Sequence, residues 1–155
     1  MMPRLQALLW DVDGTLADTE QLGHRPAFNA AFAAAGLPWQ WDTNTYRRLL
    51  GTSGGRERIL SWMREVGEPN EQLAAELHSS KQEHYRGLLN SGVIPLRPGV
   101  LDLATQAAEG GIQQWIVTTS ARAAVAALLQ SAPELANCFE GWICGDDVTR
   151  KKPDP

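Results

Sequence analysis

Two aspartates two residues apart, Asp11 and Asp13, follow the apolar run of residues 5–10 and come just before Gly14 and Thr15. In open α/β sheets, ligands bind just beyond the carboxyl ends of the strands. Paired acids at this position therefore indicate a reactive site. One carboxylate is a plausible nucleophile, and the other is a plausible acid/base. The spacing therefore predicts phosphoryl transfer, whereas the alternative is a strand-end turn in which Asp and Gly only form the turn.

Two later apolar runs also end in polar groups: Thr118 and Ser120 follow the first, and Lys152 lies in the loop after the second. A phosphoryl group in transfer needs an in-line nucleophile, donors for its equatorial oxygens and a positive charge. We expect Asp11 to be the nucleophile and Lys152 to supply the positive charge. Thr118 and nearby backbone N–H groups are the expected donors to the equatorial oxygens. Each residue alone is common at a strand end or on a surface, but together and in this order they predict a phosphate site.

Alternating strand and helix patterns must position these groups. Apolar runs predict buried strands at residues 5–10 and 114–117 and a further strand at 141–144. Helical periodicity predicts one helix that begins with Arg97–Pro98–Gly99 and ends at Gly110–Gly111, and another that carries Val125, Leu128 and Leu129. This alternation predicts an α/β fold with a parallel sheet and right-handed crossovers.

A long helical segment separates the first strand from the rest of this pattern. Four short amphipathic helices are expected within residues 19–95, and they predict a small helical bundle. We therefore expect a helical insert of residues 19–95 in an α/β core formed by residues 1–18 and 96–155. Gly36 with Pro38 is expected to end the first helix, and Asp42 or Thr43 to cap the second. Gly67 is expected to end the third helix, and Pro69 with Asn70 to begin the fourth.

Composition narrows the class of protein. The 155 residues carry a net charge of −4 and are 43% hydrophobic, which fits one globular domain or a small domain with an insertion. The 14 basic residues form no run longer than the triplet at 150–152, so no nucleic-acid partner is expected. No apolar stretch has membrane-spanning length, and a strand at the start of the chain predicts a cytoplasmic protein without a targeting segment. Cys138 and Cys144 lack a CxxC spacing and are expected to be reduced, packed thiols.

The order of these motifs resembles that of the haloacid dehalogenase (HAD) superfamily of phosphatases. Its pattern is DxDGT, a strand-end Thr or Ser, Lys-Pro and a final acidic motif, and its fold is a HAD-like Rossmannoid core with an inserted helical-bundle cap. Within this superfamily, the sequence is most similar to that of the Rubisco-associated CbbY-like branch, the sugar bisphosphate phosphatases. The similar stretches extend along the chain: residues 11–20 (DVDGTLADTE), 23–25 with 27–29, 54–59 (GGRERI), 96–100 (LRPGV), 117–120 (VTTS) and 145–155 (GDDVTRKKPDP).

The resemblance implies a role for each acid of the first motif. Asp11 would attack phosphorus to form an aspartyl phosphate, and Asp13 would protonate the leaving oxygen and then activate water. Asp11 and the backbone carbonyl of Asp13 would also bind Mg²⁺, which suits hard oxygen donors. Asp13 separates this chain from the dehalogenases of the same superfamily, which typically lack the second Asp. The implied phosphate-binding positions are Gly14, Thr15, Thr118, Thr119 and Lys152.

The resemblance also implies that the helical insert is a cap, which closes over the site, excludes water and recognises the non-reacting part of the substrate. Arg56 follows two glycines, and a fork of N–H donors at this position suits a second phosphate. The alternative for each cap residue is an ordinary surface group on a helix. The implied substrate-binding positions in the cap are Glu20, His24, Arg56 and Lys81.

The expected function is a magnesium-dependent phosphatase that hydrolyses a small sugar phosphate, such as xylulose 1,5-bisphosphate, and is a monomer at full length. One open alternative is a β-phosphoglucomutase-like transferase, which passes the phosphoryl group to a sugar hydroxyl. Thr15 favours the phosphatase, since the mutases often carry Val there. A second alternative is a catalytically incomplete fragment that only binds a sugar phosphate.

The sequence departs from the family pattern at its end, because the last acidic motif, which normally supplies a metal ligand, does not appear. Asp146 and Asp147 precede Lys152 and resemble the family's GDDV loop instead, so we assign them no metal role. In the family's sheet a fourth strand lies beside the first, and without it the first strand becomes an exposed edge. We therefore expect these residues to be part of a longer phosphatase with an incomplete sheet.

Overall fold

The structure is a computed structural model that describes residues 5–154. The described chain divides into two compact units. The sheet unit consists of the described parts of Met1–Thr19 and Leu89–Pro155, and the helical unit is Glu20–Leu88. The expected insert, 19–95, begins one residue earlier and ends seven residues later than the helical unit.

Along the described residues, strands and helices alternate in the sheet unit and helices alone make up the helical unit. The elements follow in this order: strand β1 (Ala7–Trp10), a π-helical turn (Glu20–His24), helices α1 (Arg25–Ala34), α2 (Thr43–Leu49), α3 (Gly55–Glu65), α4 (Glu71–Asn90) and α5 (Val100–Glu109), strand β2 (Gln113–Val117), helices α6 (Arg122–Gln130) and α7 (Pro133–Ala136), and strand β3 (Gly141–Ile143).

The three strands form one parallel sheet with the order β1-β2-β3. The register pairs Leu9 with Trp115, and it pairs Trp115 in turn with Gly141. A parallel sheet with helical crossovers confirms the predicted α/β core. Among the described residues β1 has β2 as its strand partner, so β1 lies at an edge of the sheet.

One face of the sheet is buried under helix α5. Trp10 and Ile116, which are neighbours in the register, are 8% and 0% exposed. Gln114 is also fully buried on this face, where it accepts a hydrogen bond from the Trp10 indole N–H at 3.0 Å. Its amide N–H donates at 2.8 Å to the carbonyl of Ala104 in α5. The buried amide therefore connects β1, β2 and α5.

The other face of the sheet carries apolar side chains that are open to solvent. Leu9, Trp115 and Ile143 are 71%, 36% and 43% exposed. The expectation that residues 5–10 and 114–117 form buried strands is therefore wrong for this face. Both strands alternate between buried and exposed residues, the pattern of a sheet covered on one side.

The four helices expected in the insert are present, and local signals explain their ends. Asp42 caps α2, because its carboxylate accepts a hydrogen bond from the Thr45 N–H at 2.7 Å. Asn70 accepts in the same way from the Leu73 N–H at 3.0 Å, where α4 begins. The short helix α7, which begins at Pro133, was not predicted.

The core of the helical unit is rich in aromatic residues. Phe28 and Trp41 lie with ring centroids 4.8 Å apart. The amide side chain of Asn29 binds both the backbone N–H and the carbonyl of Trp41, at 2.8 and 2.9 Å, which fixes the segment between α1 and α2. The buried cluster consists of Phe28, Phe32, Trp41, Tyr46, Leu49, Ile59, Leu60, Met63, Ala74 and Leu77.

Both cysteines are free thiols. Cys144 is buried, and burial raises the pKa of its thiol, so it packs as a neutral side chain. Cys138 is only half-buried, so the expectation of two packed thiols holds fully for Cys144 alone. Within residues 5–154, no helix has both the length and the apolar character needed to cross a bilayer.

Candidate active site

The carboxyl ends of β1 and β2 place Asp11 and Thr118 at the same edge of the sheet. Trp10 pairs with Ile116 in the last register position of β1, and Asp11 is the next residue. Thr118 follows β2 directly, and its N–H continues the ladder to the carbonyl of Ile143 at 2.9 Å. The strand ends therefore bring acidic and hydroxyl groups together, as parallel strands require.

Lys152 lies beside Asp11. Its ammonium donates to Oδ1 of Asp11 at 3.0 Å and to the carbonyl of Val117 at 2.8 Å. The side chains of Asp11 and Lys152 are 43% and 44% exposed, so a ligand has access to both. A lysine held by a main-chain carbonyl at the end of β2 places its positive charge where phosphate oxygens would need it.

Asp13 is held by two hydroxyl groups. Thr19 Oγ1 donates to one carboxylate oxygen at 2.5 Å, and Ser120 Oγ donates to the other. Thr19 is completely buried, so water does not compete for its hydroxyl. With a donor on each oxygen, the Asp13 carboxylate is fixed in one orientation.

The loop after Asp13 reverses the chain at Gly14, whose φ of 76° lies in the left-handed region that favours glycine. The Gly14 N–H donates to the carbonyl of Ala17 at 2.8 Å, and the Thr15 N–H donates to that of Val12 at 3.1 Å. Gly14 and Thr15 are both exposed. The reversal keeps these two predicted phosphate-binding residues at the surface beside Asp13.

Thr118 and Thr119 differ in burial. Thr118 is 5% exposed, and its hydroxyl accepts the Ser120 N–H at 3.1 Å. Thr119 is exposed, and its carbonyl lies so close to Gly145 that a Cβ there would come within 2.2 Å of the oxygen. The loops after β2 and β3 therefore touch through their backbones.

Asp146 and Asp147 bind Arg122 at the start of α6. The Arg122 N–H donates to Asp146 at 2.8 Å, and its guanidinium donates to Asp147 at 2.6 Å. Asp147 also accepts the Cys144 N–H at 2.7 Å, and this hydrogen bond with the one from Arg122 lowers the pKa of Asp147. Both acids thus join the loop after β3 to the start of α6, and their lack of a metal role stays a prediction.

The predicted cap residues lie in the helical unit, and two of them meet there. Lys81 is 4% exposed, and its ammonium lies 2.8 Å from Nδ1 of His24. The His24 ring stacks on Tyr85 at 4.0 Å, and the Lys81 ammonium lies 5.0 Å from the centre of that same ring. A lysine so deeply buried is rare unless it is paired.

The other two predicted cap residues have separate partners. Glu20, on the same π-helical turn as His24, accepts the hydroxyl of the buried Tyr46 at 2.5 Å. Arg56 forms an exposed ion pair with Glu71 at 2.6 Å. Exposed pairs contribute under about 1 kcal/mol, so the Arg56 guanidinium is easily released from Glu71. The part of all four residues in substrate recognition stays a prediction.

Sequence reasoning missed three residues of the sheet-unit site. Ser120 was recognised as a strand-end hydroxyl but not as a site residue, and Thr19 and Arg97 were named only where helical segments begin. Thr19 lies within the DVDGTLADTE stretch, so its closeness to Asp13 in sequence was an available signal. Arg97 donates to the carbonyl of Gly14 at 3.1 Å from 83 residues further along the chain, and no local pattern indicates that contact.

The described residues contain no group of three or more His, Cys, Asp or Glu side chains that could hold a metal ion. The Asp11 carboxylate lies at the sheet edge, and the backbone carbonyl of Asp13 follows two residues later in the chain. Both are hard donors of the kind that Mg²⁺ prefers, and Mg²⁺ commonly binds one or two carboxylates and keeps several waters. The residues present therefore fit a magnesium ion that is bound partly by water and substrate.

Comparison with known proteins gives consistent matches. Residues 5–155 match the family model of the haloacid dehalogenase-like hydrolases. Protein CbbY of Rhodobacter capsulatus is 43% identical over 154 residues, covering 97% of this chain and 67% of that protein. The chain thus spans about two thirds of the length of this relative.

Solved structures agree with these relatives. The crystal structure of CbbY from Rhodobacter sphaeroides in complex with phosphate matches with a TM-score of 0.84 and 42% identity, over 97% of this chain and 68% of that one. A mutant of the same protein in complex with xylulose-(1,5)bisphosphate matches with a TM-score of 0.83, at the same identity and coverage.

Proposed function

Since this chain belongs to the haloacid dehalogenase-like hydrolases, we propose that it is a phosphatase acting on a small sugar phosphate, with a sugar bisphosphate as its preferred substrate. One observation carries the proposal: Asp11 is paired with Lys152 at the sheet edge, where two hydroxyls fix Asp13. The binding of xylulose-(1,5)bisphosphate by a mutant CbbY supports the substrate class.

Asp11 is the proposed nucleophile. One of its carboxylate oxygens attacks phosphorus, the bond from phosphorus to the sugar oxygen breaks, and an aspartyl phosphate forms. The Lys152 ammonium, 3.0 Å from Asp11, offsets the negative charge that the phosphate brings. Thr118 and Thr119, with the backbone N–H groups of this edge, are the proposed donors to the equatorial oxygens.

Asp13 is the proposed acid and base. It gives a proton to the departing sugar oxygen, then takes one from the water that attacks the aspartyl phosphate, so inorganic phosphate leaves and Asp11 is restored. Thr19 and Ser120 hold the carboxylate in one orientation for both transfers. A fixed orientation matters because proton transfer needs the donor and acceptor within hydrogen-bond reach.

We propose that the Asp11 carboxylate and the Asp13 carbonyl hold Mg²⁺. When bound, the ion would neutralise charge on the transferring phosphoryl group. The family resemblance supports the carbonyl of Asp13 as the second donor, and the Asp13 side chain accepts two hydroxyls. The cytoplasmic location and the monomeric state also stay predictions.

The proposal is tested with Asp11→Asn in the full-length protein. We expect this variant to keep the melting temperature of the wild type and to lose phosphate release from a sugar bisphosphate with Mg²⁺ present. Thr105→Val, on the exposed face of α5, is the matched control and should leave turnover unchanged. Phosphate release by the Asp11 variant at the wild-type rate would remove Asp11 as nucleophile.

Product analysis separates the alternatives that the sequence left open. With a hexose 1-phosphate, a phosphatase releases inorganic phosphate, whereas a mutase yields the 6-phosphate isomer. Binding of either sugar phosphate without any turnover would favour a module that only binds the ligand.

A further inference from the structure

The segment that leads into α5 runs along the loop that carries Asp13. Ala17 and Leu96 form an antiparallel bridge, and the Arg97 N–H donates to the carbonyl of Leu16 at 2.9 Å. The Arg97 guanidinium extends past these contacts and donates to the carbonyl of Gly14 at 3.1 Å. Leu16 and Ala17 are fully buried, whereas Gly14 and Arg97 are exposed.

The Arg97 contact falls on the part of the loop that most needs restraint. Gly14 has no side chain, and its φ of 76° belongs to a region in which glycine moves between conformations at little cost. The peptide group between Gly14 and Thr15 is hydrogen-bonded at both ends. Arg97 donates to the Gly14 carbonyl, and the Thr15 N–H donates to the carbonyl of Val12. A rotation of this peptide would break both hydrogen bonds.

We propose that Arg97 is a positioning residue, which holds the Gly14–Thr15 peptide and thereby the backbone of Asp13. The inference rests on the proposed function, in which Asp13 transfers protons. Asp13 directly precedes Gly14, so a shift of this peptide would pass through the Gly14 torsions to the Asp13 backbone, from which the Asp13 side chain reaches Thr19 and Ser120. The guanidinium acts through the peptide and not through the substrate.

The chemistry of arginine suits this role. Its planar guanidinium is always charged, and its hydrogen bonds are stronger than those between neutral groups. Arg97 is exposed, so packing of its side chain contributes little to the fold. Its loss should therefore affect the order of the loop more than the stability of the unit.

The test measures loop order and turnover in Arg97→Ala of the full-length protein, with Arg64→Ala on the exposed face of α3 as the matched control. We expect the backbone amides of residues 14–16 to exchange hydrogen faster in the Arg97 variant, since a restraint on them is lost. We expect kcat to fall about tenfold with KM within about threefold, the pattern of an interaction needed only in the transition state.

Two results overturn the inference: wild-type exchange of these amides in Arg97→Ala, or a wild-type kcat with faster exchange. Arg97→Gln, which keeps part of the aliphatic stem, replaces the alanine variant if that protein does not fold. The exchange measurement needs no substrate, so it tests the restraint even if the proposed function fails. Failure of the function itself is recognised separately, by the absence of sugar phosphate hydrolysis in the wild type.

Discussion

Replacing Thr19 by valine should lower kcat about 10- to 100-fold. The Thr19 hydroxyl donates to Asp13 at 2.5 Å and is completely buried, so water cannot take its place. A hydrogen bond to a charged group contributes about 1.5–3 kcal/mol, and about 1.4 kcal/mol corresponds to a tenfold change in rate. Valine has a similar shape, so the change removes the donor and leaves the packing nearly intact.

The assay is the steady-state release of phosphate from a sugar bisphosphate, together with a melting temperature for each variant. Thr19→Ser keeps the hydroxyl and should retain most of the activity, whereas Thr105→Val on α5 should have no effect. Ser120→Ala should also lower kcat, and the double variant should lose less than the sum, because both hydroxyls hold one carboxylate. A folded Thr19→Val enzyme with the wild-type kcat would refute this account of Asp13.

Two further changes test the contacts around the site and within the helical unit. Gly145→Ala should destabilise the protein by about 1–3 kcal/mol in urea unfolding, since its Cβ would lie 2.2 Å from the Thr119 carbonyl oxygen; Gly87→Ala in α4 is the control and should not destabilise. In the helical unit, burial and the nearby Lys81 charge lower the pKa of His78 below its usual value of about 6.5. The unfolded chain therefore binds this proton more readily, so stability is fully present above about pH 6.5 and is lost as the pH falls towards the lowered pKa. The melting temperature of His78→Gln should fall less than that of the wild type between pH 7.5 and 5.5, and equal slopes would contradict the assignment.

Local patterns in the sequence predicted the elements but not their surroundings. Strands β1 and β2 were predicted close to their observed positions, because apolar runs between turn signals are local features. The exposure of Leu9 and Trp115 was missed, since burial depends on which elements cover each face of the sheet. The four-residue helix α7 is too short for helical periodicity to detect.

In the candidate site too, local features were predicted and contacts between distant residues were not. Asp11, Asp13, Thr118 and Lys152 were predicted from their order, because each follows a strand whose end lies at one edge of a parallel sheet. The partners of Asp13 were harder to predict: Ser120 is 107 residues away in sequence, and Thr19 reaches it only because Gly14 reverses the chain. Contacts of this kind depend on loop geometry, which residue types alone do not specify.

The buried Gln114 fixes the strand register that sets the position of Asp11, the proposed nucleophile. A slip of β1 by one residue along β2 would leave the Trp10 indole and the Gln114 amide unpaired in the interior, at about 1–3 kcal/mol for each group. The same slip would carry Asp11 about 3.3 Å along the strand and turn its side chain to the opposite face of the sheet. A buried amide in the core of the sheet unit thus determines where the proposed nucleophile lies along the sheet edge.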